Sequence, residues 1–218
     1  MQIITNNAGK ELKKHGDSAF PFLVSYERLS GYETGSFLWH WHPEIELTYI
    51  HKGEMLYKVN QNTFHLKEGQ VLFGNANALH AGYMYHNQDC QYIPVTFDPK
   101  LIYGFFQSTI CTRYVDPVIQ NLAVCAVHID YSEKWHETFR DRMLEVISLD
   151  KQKPDFYELD ISIRMQLLWR LLVEHLPHQP VSTTSDFTEY ERIRRILSYI
   201  EQNYMNQITL DDISEHIH

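Results

Sequence analysis

Eight residues, HWHPEIEL from His40 to Leu47, restrict this chain more than any other stretch. His40 and His42 are two apart, so on a strand both side chains leave the same face. Pro43 has no amide to give a sheet ladder and marks a corner rather than a strand interior. Glu46 then opens the next strand, and Gly53 fits the turn that ends it. A third histidine, His80, follows a second glycine turn at Gly69. The pattern asks for a tightly turned antiparallel sheet whose inner face gathers three imidazoles and one carboxylate. A divalent cation such as Zn, Fe, Mn or Ni takes up donors of this kind. The metal set expected on this ground is His40, His42, Glu46 and His80, and the same pocket equally suits a polar ligand. The chain holds 13 histidines, so spacing rather than number carries the reading. His15, His51, His65, His128 and His175 have no ligand-like spacing.

Around this motif, from about Phe20 to Phe97, short runs rich in Tyr, Phe and Val alternate with turn signals at Gly31, Lys52-Gly53, Asn60 to Asn62 and Glu68-Gly69. Such runs suit half-buried pleated surfaces, and their even spacing suits an antiparallel sandwich or barrel. The closed interior is the expected ligand chamber, lined by His40, His42, Glu46, His80 and Tyr57. Aromatic residues near the motif (Trp39, Trp41, Tyr49, Tyr57, Tyr83) together with hydrogen-bonding groups suit a small polar effector such as a sugar. Trp39 and Trp41 have the opposite parity to His40 and His42, so they are expected outside the barrel, packed against the helices that follow.

The second part reads as helical. Ser132 is placed to cap a helix through EKWHETFRDRMLEVISLD, with Trp135, Phe139, Met143 and Val146 on one face. After Lys153-Pro154, the run DFYELDISIRMQLLWRLLVEHL sets Phe156, Leu159, Ile163, Leu167 and Leu171 on one stripe, widened by Leu168, Trp169 and Leu172. That stripe is broad enough to cover the barrel, to form a dimer interface, or both. PHQPVSTTS, from Pro177 to Ser185, reads as a linker. Beyond it, Thr188-x-x-Glu191 and Thr209-Leu-Asp-Asp212 both have capping-box spacing.

These motifs resemble two linked families. H-x-H-x3-E-x6-G and the later G…H are similar to the signature motifs of the cupin superfamily, matched at His40, His42, Glu46, Gly53, Gly69 and His80. Asn75 and Asn77 stand where proline and glycine are usual, Met84 stands for a terminal asparagine, and Gly35 is one residue nearer than the leading glycine. RIRRILSYIEQNYMNQITLDDISEHIH resembles the opening of the helix-turn-helix domain of the AraC family of bacterial transcription regulators, and VTFDP at Val95 to Pro99 resembles the closing strand of that family's sensor barrel. The resemblance implies a mainly β fold with α: a cupin jelly-roll barrel, a helical dimerisation region and an incomplete helix-turn-helix. Its expected parts are an N-terminal arm (1–19), the barrel (20–128), the dimerisation region (129–176), a linker (177–187) and the start of the helix-turn-helix domain (188–218). The family's recognition helix has no counterpart before His218, so the resemblance implies a truncated C-terminus and DNA contact only through residues absent after His218.

Charge agrees with that expectation. From Phe187 to His218 three arginines (Arg192, Arg194, Arg195) face six acids (Glu189, Glu191, Glu201, Asp211, Asp212, Glu215), and the whole chain carries −9. Lys and Arg supply most of the non-specific affinity for DNA, so these residues alone are not expected to bind it. No run approaches the length of a membrane span, no secretory signal is evident, and Cys90, Cys111 and Cys125 form no paired motif. A reducing cytoplasm is the expected compartment. Three functions fit: a non-catalytic effector-sensing, homodimerising part of a regulator; a metal-dependent cupin enzyme; and a DNA-blind dimer partner of a full-length regulator. The segment from Met1 to Phe20 reads first as a disordered terminus, and second as a lid that folds over the barrel mouth when ligand is present.

Overall fold

The computed structural model describes residues 2–121, 123–176, 196, 199, 203 and 208–217. The chain forms two compact units, 1–177 and 178–218.

The first unit is a sandwich of two antiparallel sheets backed by helices. Its strands are β1 Phe22–Val24, β2 Glu27–Arg28, β3 Ser36–His40, β4 Ile45–Lys52, β5 Glu54–Val59, β6 Asn62–Lys67, β7 Val71–Gly74, β8 His80–Met84, β9 Gln91–Phe97 and β10 Ala126–Ile129. One sheet runs β1-β9-β4-β7-β10, with β2 also paired to β9, and the other runs β3-β8-β5-β6. Period-2 burial is clean in β5, where Met55, Tyr57 and Val59 point inward. β4 is covered on both faces, with Ile45, Leu47 and Tyr49 on one and Glu46, Thr48 and Ile50 on the other. β10, which pairs with β7, was not anticipated from the sequence and crosses the boundary expected at 128.

Two cores result. Between the sheets lie Phe37, Ile50, Met55, Tyr57, Leu66, Leu72 and Tyr92. On the far side of the larger sheet, Leu47, Phe73 and Phe97 meet Phe139, Met165, Leu168, Trp169 and Leu172. The latter come from α3 Lys134–Gln152 and α4 Tyr157–His175, which follow the short helices α1 Lys100–Tyr103 and α2 Asp116–Ile119.

Several expectations are corrected here. Ser132 does not cap α3: Glu133 holds the cap position without a side-chain bond, while the Ser132 amide donates to Asp130. On α3, Phe139, Met143 and Val146 are buried as expected. On α4 the buried face is Ile161, Met165, Leu168, Trp169 and Leu172, whereas Phe156, Leu159, Ile163 and Leu167 are exposed. The helix is apolar on two sides, and only one meets the barrel. Trp39 and Trp41 lie on the sheet opposite the helices. Trp39 is partly exposed, and Trp41 packs against the arm, its indole N–H donating to the Ala8 carbonyl at 2.9 Å.

The arm is folded onto the barrel, where a disordered terminus was the first expectation. Thr5 bridges Glu11, and Lys10 runs parallel to Trp41. The Trp41 amide donates to Gly9 and the Trp41 carbonyl accepts from Glu11. The Asn6 carboxamide accepts from the amides of Ala8 and Lys10 and closes the arm's turn.

In the second unit, α5 Leu210–Ile217 begins at a capping box. Thr209 donates from its amide and hydroxyl to Asp212, whose amide donates back to the Thr209 hydroxyl. The cap expected at Thr188 and Glu191 lies outside the described residues.

Candidate effector and metal site

Strand ends bring the motif together. His40 closes β3 directly opposite His80, which opens β8. Glu46 is the second residue of β4 and Tyr57 sits midway along β5. His42 lies just past β3, where the Asn77 amide donates to its carbonyl at 2.9 Å. Asn77 can make that turn because its φ is +60°, a left-handed conformation that asparagine tolerates better than most residues. Asn77 thus adopts a left-handed conformation at the position where the resemblance implies glycine. Asn75 anchors the same loop by donating to the carbonyls of Val118 and Val124.

The three rings converge, with centroids 4.1 Å apart for His40–His80 and 5.0 Å for His42–His80. Each can present a ring nitrogen such that all three lie within 4.8 Å of one another. Backbone carbonyls take the other nitrogen in every case: Nδ1 of His40 faces Leu38 O at 2.8 Å, that of His42 faces Glu44 O at 3.2 Å, and that of His80 faces Ala78 O at 2.9 Å. A carbonyl only accepts, so each Nδ1 carries the proton and each Nε2 carries a lone pair. Nε2 of His42 and of His80 is buried without a hydrogen-bond partner. Burial, reinforced by the neighbouring imidazoles, holds His80 well below its ordinary value, and burial lowers His40 as well. Three converging rings whose Nδ1 atoms are held by carbonyls, two of them with a buried unpartnered Nε2, fit a divalent cation.

Glu46 stands beside this group rather than in it. Its Oε1 accepts from Tyr57 Oη at 2.8 Å and from Thr48 Oγ1 at 2.6 Å, and its Oε2 is 3.6 Å from His42 Nε2. Burial alone would raise the Glu46 carboxyl, but the close approach of His42, the nearby His80 ring and the Thr48 hydroxyl hold it well below the usual range.

A cavity of about 440 Å³ opens beside these residues, lined by His40, Glu46, Tyr57 and His80 from the expected set. Tyr49 faces the helix-side core, and Tyr83 carries the Lys58 ammonium over its ring at 5.2 Å; neither lines the cavity. The arm and the larger sheet add Glu11, His15, Glu27, Tyr32 and Tyr92. His15 gave no sequence signal beyond its i, i+4 relation to Glu11, yet it is buried, its ring 4.8 Å from that of His42.

The profile of the family described as the AraC-like ligand binding domain matches residues 24–139. The chain is 27% identical over 206 residues to YdeC of Bacillus subtilis (strain 168), an uncharacterized HTH-type transcriptional regulator, covering 94% of this chain and 69% of that one. Its fold is similar to apo ToxT K231A from Vibrio cholerae strain SCE256, with a TM-score of 0.53 at 11% identity over 94% of this chain and 72% of that one. ToxT from Vibrio cholerae O395 bound to (E)-4-(8-methylnaphthalen-1-yl)but-3-enoic acid gives 0.52 at 10% identity, over 90% of this chain and 71% of that one.

Proposed function

The chain belongs to the family of AraC-like ligand binding domains, and on that footing we propose that its barrel senses a small polar effector held beside a divalent cation. It is the effector-binding portion of an AraC-type transcription regulator. The observation that carries the finer reading is the convergence of His40, His42 and His80, each with Nδ1 turned to a backbone carbonyl and with the Nε2 atoms of His42 and His80 buried without a partner. Those three imidazoles would hold the cation, with the Glu46 carboxylate alongside to balance its charge. Zn, Fe, Mn or Ni suits that donor set. When bound, the ion supplies a Lewis-acid position for an oxygen of the effector.

The chain's own groups favour a neutral polyol such as a sugar. Glu11, Glu27 and Glu46 line the cavity beside Lys13 and His15, and together with the hydroxyls of Tyr32, Tyr57 and Tyr92 they offer hydrogen bonds to several hydroxyls at once. We assign binding rather than turnover, because the buried carboxylate of the motif is already engaged by two hydroxyl donors. The exposed stripe of Phe156, Leu159, Ile163 and Leu167 is the proposed homodimer face, and DNA reading belongs to a helix-turn-helix for which α5 is the opening. No helix among the described residues is long and apolar enough to cross a membrane. A regulator that reads DNA works in the cytoplasm.

Metal content after exhaustive dialysis, measured for the wild-type chain and for His80→Ala, tests the cation. A panel of sugars screened by thermal shift tests the effector. Equal trace metal in both proteins would overturn the cation, and a flat panel with a response to small acids would overturn the polyol.

A further inference from the structure

A second cluster lies where the arm meets the barrel mouth, outside the three-imidazole group. His15 is 8% exposed. Its Nε2 stands 3.2 Å from Glu11 Oε2, and its Nδ1 stands 3.3 Å from Glu44 Oε2 at the corner after Pro43. The same Glu44 oxygen is 3.5 Å from His42 Nδ1. His15 Nδ1 and Glu44 Oε2 are both buried, yet neither makes a hydrogen bond. Close approach without hydrogen-bond alignment is how two ligands of one ion sit. Bonds of about 2.0–2.1 Å to a tetrahedral ion put neighbouring donor atoms about 3.4 Å apart. Glu11 completes the arrangement: with the His15 proton on Nε2 toward Glu11, Nδ1 is left as the donor, as in other carboxylate–imidazole–metal arrangements.

We propose that His15, His42 and Glu44 form a second divalent-cation site, which staples the N-terminal arm to the barrel through a zinc-like ion. The site takes Nδ1 of His42, whereas the barrel site takes Nε2. A neutral imidazole presents a single lone pair, so the two sites compete for that ring. Turning His42 toward the arm releases Nδ1 from the Glu44 carbonyl and points Nε2–H at Glu46 Oε2, 3.6 Å away. An ion in the barrel therefore loosens the arm staple, and an ion in the staple empties His42 from the barrel set. The competition rests on the barrel reading; the staple does not.

The full chain carrying His40→Ala and His80→Ala loses two barrel imidazoles and isolates the staple. Co2+ is the probe, followed by its visible ligand-field absorption, by equilibrium dialysis and by the rate at which a protease trims the arm. The double variant is expected to bind one Co2+ per chain. At Co2+ ten times the dissociation constant, arm cleavage should slow about tenfold. Adding His15→Ala should abolish both effects. If the double variant folds, shown by its circular dichroism, and takes up no Co2+ while wild type does, the staple is overturned and the barrel site stands. If the double variant binds Co2+ but His15→Ala changes neither binding nor trimming, the arm is not a ligand and the proposal again fails. Uptake by the double variant with His80→Ala unchanged from wild type would overturn the barrel reading instead. Should the double variant not fold, His80→Ala with and without His15→Ala makes the same comparison.

Discussion

Replacing Tyr57 with phenylalanine removes one oxygen atom and leaves the ring where its neighbours hold it, stacked on His80 at 5.9 Å and edge-on to Phe37 at 5.6 Å. The lost atom is the donor of the 2.8 Å bond to Glu46 Oε1. Burial keeps that phenol well above its ordinary value, so it donates at every pH at which the protein folds. A hydrogen bond to an ionised group contributes about 1.5–3 kcal/mol. Glu46 borders the cavity, where water can replace the hydroxyl, so the lower part of the range applies: about 1.5–2 kcal/mol, or about 10–30-fold in the folding equilibrium. Urea unfolding in EDTA measures it, as a midpoint shift with unchanged slope. The pH dependence has a fixed sign. Glu46 is depressed in the folded state, so its contribution is present above its unfolded value of about 4.3 and is lost as pH falls through the lower folded value. The gap between wild type and Tyr57→Phe should therefore be full at neutral pH and close in acid. A gap below about 0.5 kcal/mol at pH 7, with Glu46→Gln equally silent, would refute the claim that Glu46 is a buried ionised acceptor.

Three other outcomes follow from the same geometry. Burial lowers His15, but Glu11 and Glu44 outweigh it and push the group up to about 9, so in EDTA its contribution is full below about pH 6.5 and is lost as pH passes about 9. The stability difference between wild type and His15→Ala, at most about 3 kcal/mol, should shrink between about pH 6 and about pH 10, and growth over that range would contradict the assignment. Gly82→Ala would place a Cβ 2.3 Å from Phe37 and 2.5 Å from Met55 inside the inter-sheet core, so melting should show a loss of about 1–3 kcal/mol or more. Ile163→Glu, on the exposed stripe of α4, should change stability by no more than about 0.5 kcal/mol yet convert dimer to monomer in sedimentation, and an unchanged dimer would remove that stripe as the interface.

The inner strands and the histidine cluster were legible because their signals are local. Period-2 alternation set the faces of β5, and the two-residue spacing of His40 and His42 survived although the strand ends between them. What stayed hidden depends on distant partners. Parity placed Trp39 and Trp41 outside the barrel, but it cannot say which layer covers that outside, and the arm rather than a helix lies over Trp41. α4 is apolar on two sides, so its periodicity could not choose between the Ile161–Leu172 face and the Phe156–Leu167 stripe. His15 has no ligand-like spacing in the sequence, because its meeting with Glu44 and His42 spans the whole of β1 to β3. The tautomers of the three imidazoles are set by backbone carbonyls, which no side-chain pattern reports.

The same layout decides which element an effector can move. β4 presents Glu46 to the cavity, with Thr48 bonded to it, and Leu47 and Tyr49 to the core under α3 and α4, and it is paired on both edges, by β9 and by β7. To shift it, a ligand would have to displace a closely packed layer, and even single misfits in such a core cost about 1–3 kcal/mol. The arm is held by fewer and more exposed contacts: a few backbone bonds to Trp41, the Ala8–Trp41 contact, Gln2 on the Ser36 carbonyl, Lys13 at Ser25 and Glu27, Ile3 against the inter-sheet core, and His15 between Glu11 and Glu44. Couplings between sites are typically about 1–3 kcal/mol, enough to bias the docking of such an arm and too little to reorganise the sheet. Because Glu11 and His15 line the cavity that Glu46 and His80 also line, an effector touches arm and barrel together. It can then favour one arm position over the other, which is the condition for any population shift.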